Sequence, residues 1–234
     1  MKFHRFSLAL VPALFGIFAT PSSPVAADVV AVEGVEIRTQ IEGGAIRGLR
    51  VDRVAEDPNS DGQLYWLTAS EAGVEKPLCS DAEGQALSAV PLDGNWDEQG
   101  RWQPHGLTLA CFNGVLAKCV RWGYAPWRHV GEVSLRDYHQ ACARMARADY
   151  CGDGVPHTRD GTLINMWDEL GVQTSDRRDD LHFEAAWAPD GAHGIARTRY
   201  PDDMAYVEAN CPERLAGHAV TANVLLWNES IPKE

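Results

Sequence analysis

Six cysteines constrain the folding of this chain more than any other sequence feature. An even number of cysteines in an exported chain predicts disulfides, although the sequence leaves the pairing open. No Cys-x-x-Cys pair occurs, so neither a thioredoxin-type redox motif nor a zinc ribbon has support. We therefore expect a disulfide-stabilised fold. The disulfide candidates are Cys79, Cys111, Cys119, Cys142, Cys151 and Cys211.

Residues 1–27 have the layout of a secretory signal peptide. Lys2 and Arg5 give a positive start, an apolar run follows, and small residues precede Asp28. The apolar run is shorter than the roughly 20 residues that a membrane-spanning helix needs. We expect cleavage of this leader, export to the periplasm or the extracellular space, and no stable membrane anchor after cleavage. A retained anchor is the alternative.

The charge balance bears on the partners of the protein. The chain has 33 acidic and 21 basic side chains and a net charge of -12 at pH 7. Nucleic acids and anionic membrane surfaces attract basic proteins, so we expect neither as a partner. A small molecule or a component of the cell envelope stays open as a ligand.

A basic cluster stands out within this acidic chain. Arginine recognises carboxylates and phosphates through paired hydrogen bonds, so the cluster suggests recognition of an anionic group. The alternative is ion pairing with the acidic residues that follow, including Asp149 and Asp153. The cluster comprises Lys118, Arg121, Arg128, Arg136, Arg144 and Arg147.

The first half of the mature chain, residues 28–120, is predicted to be β-rich. Apolar and β-branched residues recur at 30–37, 46–51 and 64–68. Turn-forming residues separate these and later runs at 43–44, 57–62, 93–95 and 98–100.

Two interpretations of residues 107–120 stay open. Asn113-Gly114 between two apolar runs favours a hairpin, in which Cys111 and Cys119 lie on opposite faces and cannot bond. A short helix starting near Gly114 would allow that bond. We favour a strand followed by a short helix.

The clearest helix is predicted at about residues 134–148. Its start resembles a capping box with Ser134 as the cap, its apolar residues fall at helical spacing, and Gly152 can end it. A helix rises about 1.5 Å per residue, so a bond between Cys142 and Cys151 is awkward unless the helix stops early.

The C-terminal part, residues 163–234, is predicted to be turn-rich. It contains a strand at 183–187, a short helix at 204–209 and a last strand at 220–227. We predict an α+β fold in which the β-rich half packs on the central helix. The expected organisation is one domain over 28–234, with its β-rich part at 28–120, the helix and a motif loop at 134–162, and the C-terminal part at 163–234.

The motif loop, residues 148–162, concentrates reactive side chains on a backbone interrupted by glycines. Cys151 as a thiolate nucleophile, with an imidazole base and an aspartate to orient it, would make a hydrolase-like or transferase-like enzyme. The candidate catalytic residues are His139, Asp149, Cys151, Asp153 and His157.

The competing interpretation is a structural clasp. Cys151 would then form a disulfide, the aspartates would cap turns, and the protein would be a non-catalytic envelope or extracellular binding or structural protein. The aspartates lack the EF-hand calcium spacing, and an oxidising compartment favours a disulfide for Cys142 over a zinc site with His139. We assign no metal and no cofactor.

The motif residues also carry a resemblance to a known family. Ala148-Asp149-Tyr150-Cys151, with His139 to Cys142 before it and His157-Thr158 after it, resembles the ADYC-domain family of exported bacterial proteins. Residues 118–127 and Cys211-Pro212 add to the resemblance, which spans about 35–215. It implies export and a single domain, and it carries no reaction and no catalytic roles with it.

Overall fold

The computed structural model describes residues 33–34, 36–40, 46–71, 73–97, 99–218 and 223–232. The predicted leader lies outside the described residues, as do the strand signals at Val30 and Val32 and the turn signal at 43–44. Within the described ranges the fold is α+β and rich in antiparallel strands, as predicted. None of its helices has the length and apolar character that a membrane crossing requires.

The first sheet is antiparallel, with strand order β1-β2-β3-β5-β6 and β4 beside β3. Alternation of buried and exposed residues along β3 places Tyr65 and Leu67 in a core with Val51. The turn at 57–62 is confirmed, since Asp57 accepts hydrogen bonds there. The strands are β1 (Glu36–Gln40), β2 (Ile46–Glu56), β3 (Gln63–Glu71), β4 (Val74–Pro77), β5 (Ala89–Trp96) and β6 (Trp102–Cys111).

The turn predicted at 93–95 is wrong, because these residues lie inside β5. The β5–β6 register shifts there, and Gly94 has a φ of +89°. A Cβ on Gly94 would lie 2.1 Å from the Trp102 indole nitrogen, so only glycine fits this bulge. The chain instead reverses between Asp97 and Arg101, where Gly100 N donates to Asp97 O at 2.8 Å. This agrees with the turn signal at 98–100, of which Glu98 lies outside the described residues.

A short helix, α1 (Val115–Arg121), follows β6 and confirms the strand-then-helix interpretation. A small hairpin, β7 (His129–Val130) with β8 (Val133–Ser134), then leads to the central helix α2 (Arg136–Arg147). Ser134 is not its cap, because this residue ends β8 and Leu135 takes the N-cap position.

The C-terminal part contains a second antiparallel sheet as well as the predicted turns. Its order is β11-β10-β12-β9. Met145 of α2 packs in one core with Trp187 and Leu226 of this sheet. The predicted short helix is confirmed as α3 (Met204–Asn210). The strands are β9 (Ile164–Asp168), β10 (His182–Ala188), β11 (Gly191–His193) and β12 (Leu226–Ser230).

Three disulfides join these parts, and the described residues contain no free cysteine. The prediction of a disulfide-stabilised fold is thereby confirmed, and Cys142 does not bond Cys151. The bonds link Cys79 to Cys111, Cys119 to Cys142 and Cys151 to Cys211, with Cα–Cα distances of 5.4, 5.9 and 5.6 Å.

Candidate functional site

The motif loop begins where α2 ends, at Ala148. This residue is fully buried and has a left-handed backbone with a φ of 52°. Its N–H donates to the Met145 carbonyl at 3.0 Å, and the N–H of Asp149 donates to the Arg144 carbonyl at 3.0 Å. The helix therefore ends at Ala148 rather than at Gly152, and the small side chain fits the left-handed position better than a larger one would.

Asp149 is buried and fixes the start of the loop. Its carboxylate forms an ion pair with Arg144, whose side chain is also buried. The same carboxylate accepts the Gly154 N–H at 3.1 and 3.2 Å. Asp149 is therefore a structural anchor, because its carboxylate already binds a guanidinium and a backbone amide inside the protein.

Tyr150 links the loop to the second sheet. Its hydroxyl donates to Glu184 at 2.9 Å and accepts the Arg199 N–H at 2.7 Å. Its carbonyl accepts the Ala192 N–H at 2.9 Å. Burial raises the pKa of Tyr150 well above its ordinary value, so the phenol stays protonated and keeps donating.

A fully buried ion pair lies beneath this tyrosine. Arg199 donates to both carboxylate oxygens of Glu184, at 2.9 and 3.1 Å. Burial alone would raise the pKa of Glu184, but the charge and hydrogen bonds of Arg199 hold it below its ordinary value. Arg199 also donates to Met145 O and to the Thr158 hydroxyl, each at 2.9 Å. It therefore ties the end of α2 to the motif loop.

Cys151 forms a disulfide with Cys211, directly after α3. Its sulfur therefore carries no thiol, and the thiolate nucleophile of the enzyme interpretation is absent from this state of the protein. The structure agrees with the alternative role of Cys151 as a disulfide partner.

Asp153 and His157 lie together on the α3 side of the loop. Asp153 accepts the Tyr206 hydroxyl at 2.6 Å, and this bond raises the pKa of Tyr206 to about 12. Nδ1 of His157 lies 3.1 Å from Asp203 Oδ1, and its ring packs on Tyr206 at 4.6 Å. Nε2 of His157 is buried and has no hydrogen-bond partner among the described residues.

His139 has different neighbours from the other four candidates. Its Nε2 lies 3.0 Å from the Leu116 carbonyl of α1, and its ring packs 5.6 Å from Trp96. Burial lowers the pKa of His139 to about 4, so the imidazole is neutral at pH 7. Asp149, Cys151, Asp153 and His157 thus lie on the motif loop and each contacts a different partner, whereas His139 lies against α1.

A cavity of about 690 Å³ lies beside the motif loop. Asp149 and Thr158 form the loop side of it, and Arg144 and Arg147 line it from α2. The side chains that line the cavity from β6 and α1 are mostly apolar. They include Leu109, Ala110, Val115 and Leu116.

Two arginines of the basic cluster line this cavity, and each fits a different one of the two interpretations, ion pairing or recognition of an anionic group. Arg144 pairs with Asp149, as the ion-pair alternative predicted. Arg147 has no carboxylate partner within the described ranges, and its Nε is buried without a hydrogen bond. Asp97 also lines the cavity, but it pairs with Arg101 at 2.9 Å. Arg147 is therefore the unbalanced charge of the cavity.

Metal ligands do not converge in this region. Within the part of the chain that the structure describes, no group of three or more His, Cys, Asp or Glu side chains could hold a metal ion. The side chains considered for calcium and zinc have other partners: Cys142 is in a disulfide, and Asp149 pairs with Arg144.

Sequence reasoning missed four residues that organise the loop: Glu184, Arg199, Asp203 and Tyr206. All four follow the loop, which ends at Thr162, by at least 22 residues (162 to 184), and no local pattern marks them. They are identified only by their contacts with Tyr150, Asp153 and His157 in the structure.

Comparison with known proteins places this loop in a family. No curated protein and no solved structure matches the chain. The sequence model of the ADYC domain matches residues 30–201, which include the central helix, the motif loop and most of the second sheet. The match covers well over half of the chain, so this protein belongs to the ADYC domain family.

Proposed function

We propose that this protein is a non-catalytic binding protein of the periplasm or the extracellular space. In this account residues 1–27 are a cleaved leader and 28–234 form one domain. The motif loop is a disulfide clasp that forms one wall of a ligand cavity. The ligand is a small molecule, free or part of the cell envelope.

The observation that carries this proposal is that each motif residue already has a partner inside the protein. Ala148 ends the helix, Asp149 holds Arg144, Tyr150 holds Glu184, and Cys151 is bonded to Cys211. Groups engaged in this way are poor candidates for chemistry on a substrate. Three disulfides also fit a protein exported to an oxidising compartment.

The cavity itself supports binding. Its volume of about 690 Å³ falls in the range of small-molecule sites, roughly 300–1,000 Å³. Such sites combine apolar walls with a few polar groups that orient the ligand, and this cavity is lined by apolar side chains of β6 and α1 and by two arginines.

The test fills the cavity and measures binding. Ala143 lines the cavity from α2 and is buried, so Ala143→Leu would occupy ligand volume. We expect calorimetric titration of the wild-type protein to show saturable one-to-one binding of at least one of three probes: decanoate, decanol and decyltrimethylammonium. Ala143→Leu should weaken that binding at least tenfold.

The matched control is Ala205→Leu, which makes the same change at an exposed position of α3. It should bind as the wild type does. Failure of all three probes to bind, or equal binding by Ala143→Leu and the wild type, would overturn the binding function.

A hydrolase-like enzyme is the second candidate function, and His157 is the observation that favours it. An imidazole with a carboxylate at Nδ1 and an unpartnered Nε2 has the arrangement of a general base. The test is hydrolysis of p-nitrophenyl esters by the wild type and by His157→Ala. Activity that His157→Ala abolishes without lowering the melting temperature would support an enzyme. Absence of wild-type hydrolysis would remove this candidate.

A further inference from the structure

We infer that the cavity binds a carboxylate with an apolar body, and that Arg147 holds the carboxylate. This inference rests on the proposed binding function and names the class of its ligand. It follows from three properties of the cavity: its charge, its unused hydrogen-bond donors and its apolar wall.

The charged residues that line the cavity leave one positive charge without a partner. Two of its four charged lining residues, Arg144 and Asp149, neutralise each other, and Asp97 is neutralised by Arg101. Arg147 is left without a counter-charge among the residues that the structure describes. A monoanion would balance it, whereas a neutral or cationic ligand would not.

Donors are left over on the same side. Nη2 of Arg147 donates to the Gly154 carbonyl, but its Nε has no partner. Nη2 of Arg144 is likewise buried and unpartnered. Buried donors without acceptors cost free energy. A carboxylate offers two acceptor oxygens to the guanidinium groups of Arg144 and Arg147, both of which line the cavity.

The neighbouring Thr158 is placed to add a further contact. Its hydroxyl oxygen accepts a hydrogen bond from Arg199 at 2.9 Å, and the residue lines the cavity. The hydroxyl proton has no protein acceptor in the described ranges, so it is available to a ligand oxygen.

The apolar wall determines the rest of the ligand. Leu109, Val115 and Leu116 face the cavity from β6 and α1, and Ala143 faces it from α2. An alkyl or aromatic body in contact with these side chains would leave water, which is favourable in proportion to the apolar area buried. A carboxylate fits better than a phosphate, because a dianion would leave one negative charge unbalanced beside Asp149.

The test compares probes that share one chain and differ in the head group: decanoate, decanol and decyl phosphate, each below its micelle concentration. Titration calorimetry should show decanoate binding at least tenfold more tightly than decanol, and more tightly than decyl phosphate. Arg147→Gln should weaken decanoate binding about 10- to 100-fold, the range of a hydrogen bond to a charged group. It should change decanol binding less than about threefold, because the alcohol carries no charge.

Two further variants keep the result interpretable. Arg128→Gln removes an exposed arginine that does not line the cavity, and it should bind decanoate as the wild type does. Arg147→Lys keeps the charge but removes the forked donors, so it should lie between the wild type and Arg147→Gln. It also serves if Arg147→Gln does not fold.

The outcomes separate this inference from the proposed function. If decanol binds as tightly as decanoate, or decyl phosphate binds more tightly, the carboxylate inference is overturned while binding in the cavity stands. Equal effects of Arg147→Gln on decanoate and decanol would have the same meaning. If no probe responds to Ala143→Leu, the proposed function itself fails.

Discussion

The hydroxyl of Tyr150 donates a 2.9 Å hydrogen bond to Glu184, and both residues are fully buried. Arg199 completes the cluster by donating to both Glu184 oxygens. A buried carboxylate is tolerated only when it is paired and hydrogen-bonded. Tyr150 is therefore part of the hydrogen-bond network that stabilises the buried charges of Glu184 and Arg199, and it links the end of α2 to β10.

Tyr150→Phe tests this network. The change removes one donor to Glu184 and one acceptor for the Arg199 N–H, and it leaves both groups buried. We expect the free energy of unfolding to fall by about 1–3 kcal/mol, the cost of a buried group left unsatisfied. Urea denaturation measures it. Tyr206→Phe, which removes a hydrogen bond to the more exposed Asp153, should cost less; equal losses would contradict the account.

Ala148 tests the backbone at the end of the helix. Its φ of 52° favours a residue without a large side chain, and the residue is fully buried. Ala148→Gly relieves the left-handed backbone but frees the unfolded chain, so we expect a change within about 1 kcal/mol. Ala148→Val should cost at least about 2 kcal/mol, because a branched side chain is strained at this φ and overpacks the core. Thermal or urea denaturation of both variants decides; equal stabilities would refute this role.

His139 predicts a pH dependence of stability. Burial lowers its pKa to about 4 from the ordinary 6.5, and the bond to Leu116 only partly opposes this shift. As the pH falls from about 6.5 to 4, the unfolded chain takes up a proton that the folded chain does not. The free energy of unfolding should therefore fall by up to about 3 kcal/mol over that window.

The matching measurement is urea denaturation between pH 7 and pH 4 on the wild type and on His139→Gln. Lowered carboxyl pKa values, such as that of Glu184, destabilise both proteins as the pH falls, so the difference between the two curves isolates the histidine. The variant should show the shallower loss. Parallel curves would show that His139 is not a buried neutral imidazole.

The Cys151–Cys211 disulfide should be a large contributor to stability. It closes a loop of 60 residues, for which the chain-entropy estimate is about 4 kcal/mol. We expect the double variant Cys151→Ala with Cys211→Ala to lose about that much in urea denaturation while it retains the other two disulfides. A loss below about 1 kcal/mol would show that the clasp is not a structural device.

Local patterns predicted much of the fold. Helical spacing gave the central helix within two residues of its observed ends, and Met204–Asn210 was also predicted as a helix. The turn predicted at 93–95 is wrong because the same residue types also occur in β-bulges. Only the contact with Trp102 shows that a bulge forms here rather than a turn.

Alternation along β10 misled in a similar way. The alternation of Phe183, Ala185 and Trp187 predicts a strand, and a regular strand would place these three side chains on one face. The register shifts between Phe183 and Ala185, so Phe183 is exposed and Glu184 is buried. A single sequence gives no sign of a bulge or of a distant partner such as Arg199, so the network around Tyr150 could not be predicted from it.

Composition marks the motif loop and the arginines as candidates, and the structure brings Arg144, Arg147 and Asp149 to one cavity. Their separate roles depend on ion pairing across the fold, which spacing along the chain does not specify. The contact of His139 with α1 could not be predicted, because proximity to the loop along the helix does not determine which face of α2 meets the loop and which meets α1.

Whether the motif loop is a structural clasp depends first on the state of Cys151 in the purified protein. Peptide mass spectrometry after alkylation without reduction detects that state and also shows whether the predicted leader is cleaved. We expect a peptide pair joined through Cys151 and Cys211, with no alkylation at either residue. Rapid alkylation of Cys151, with the other cysteines bonded, would contradict the clasp and return the loop to the candidate active sites.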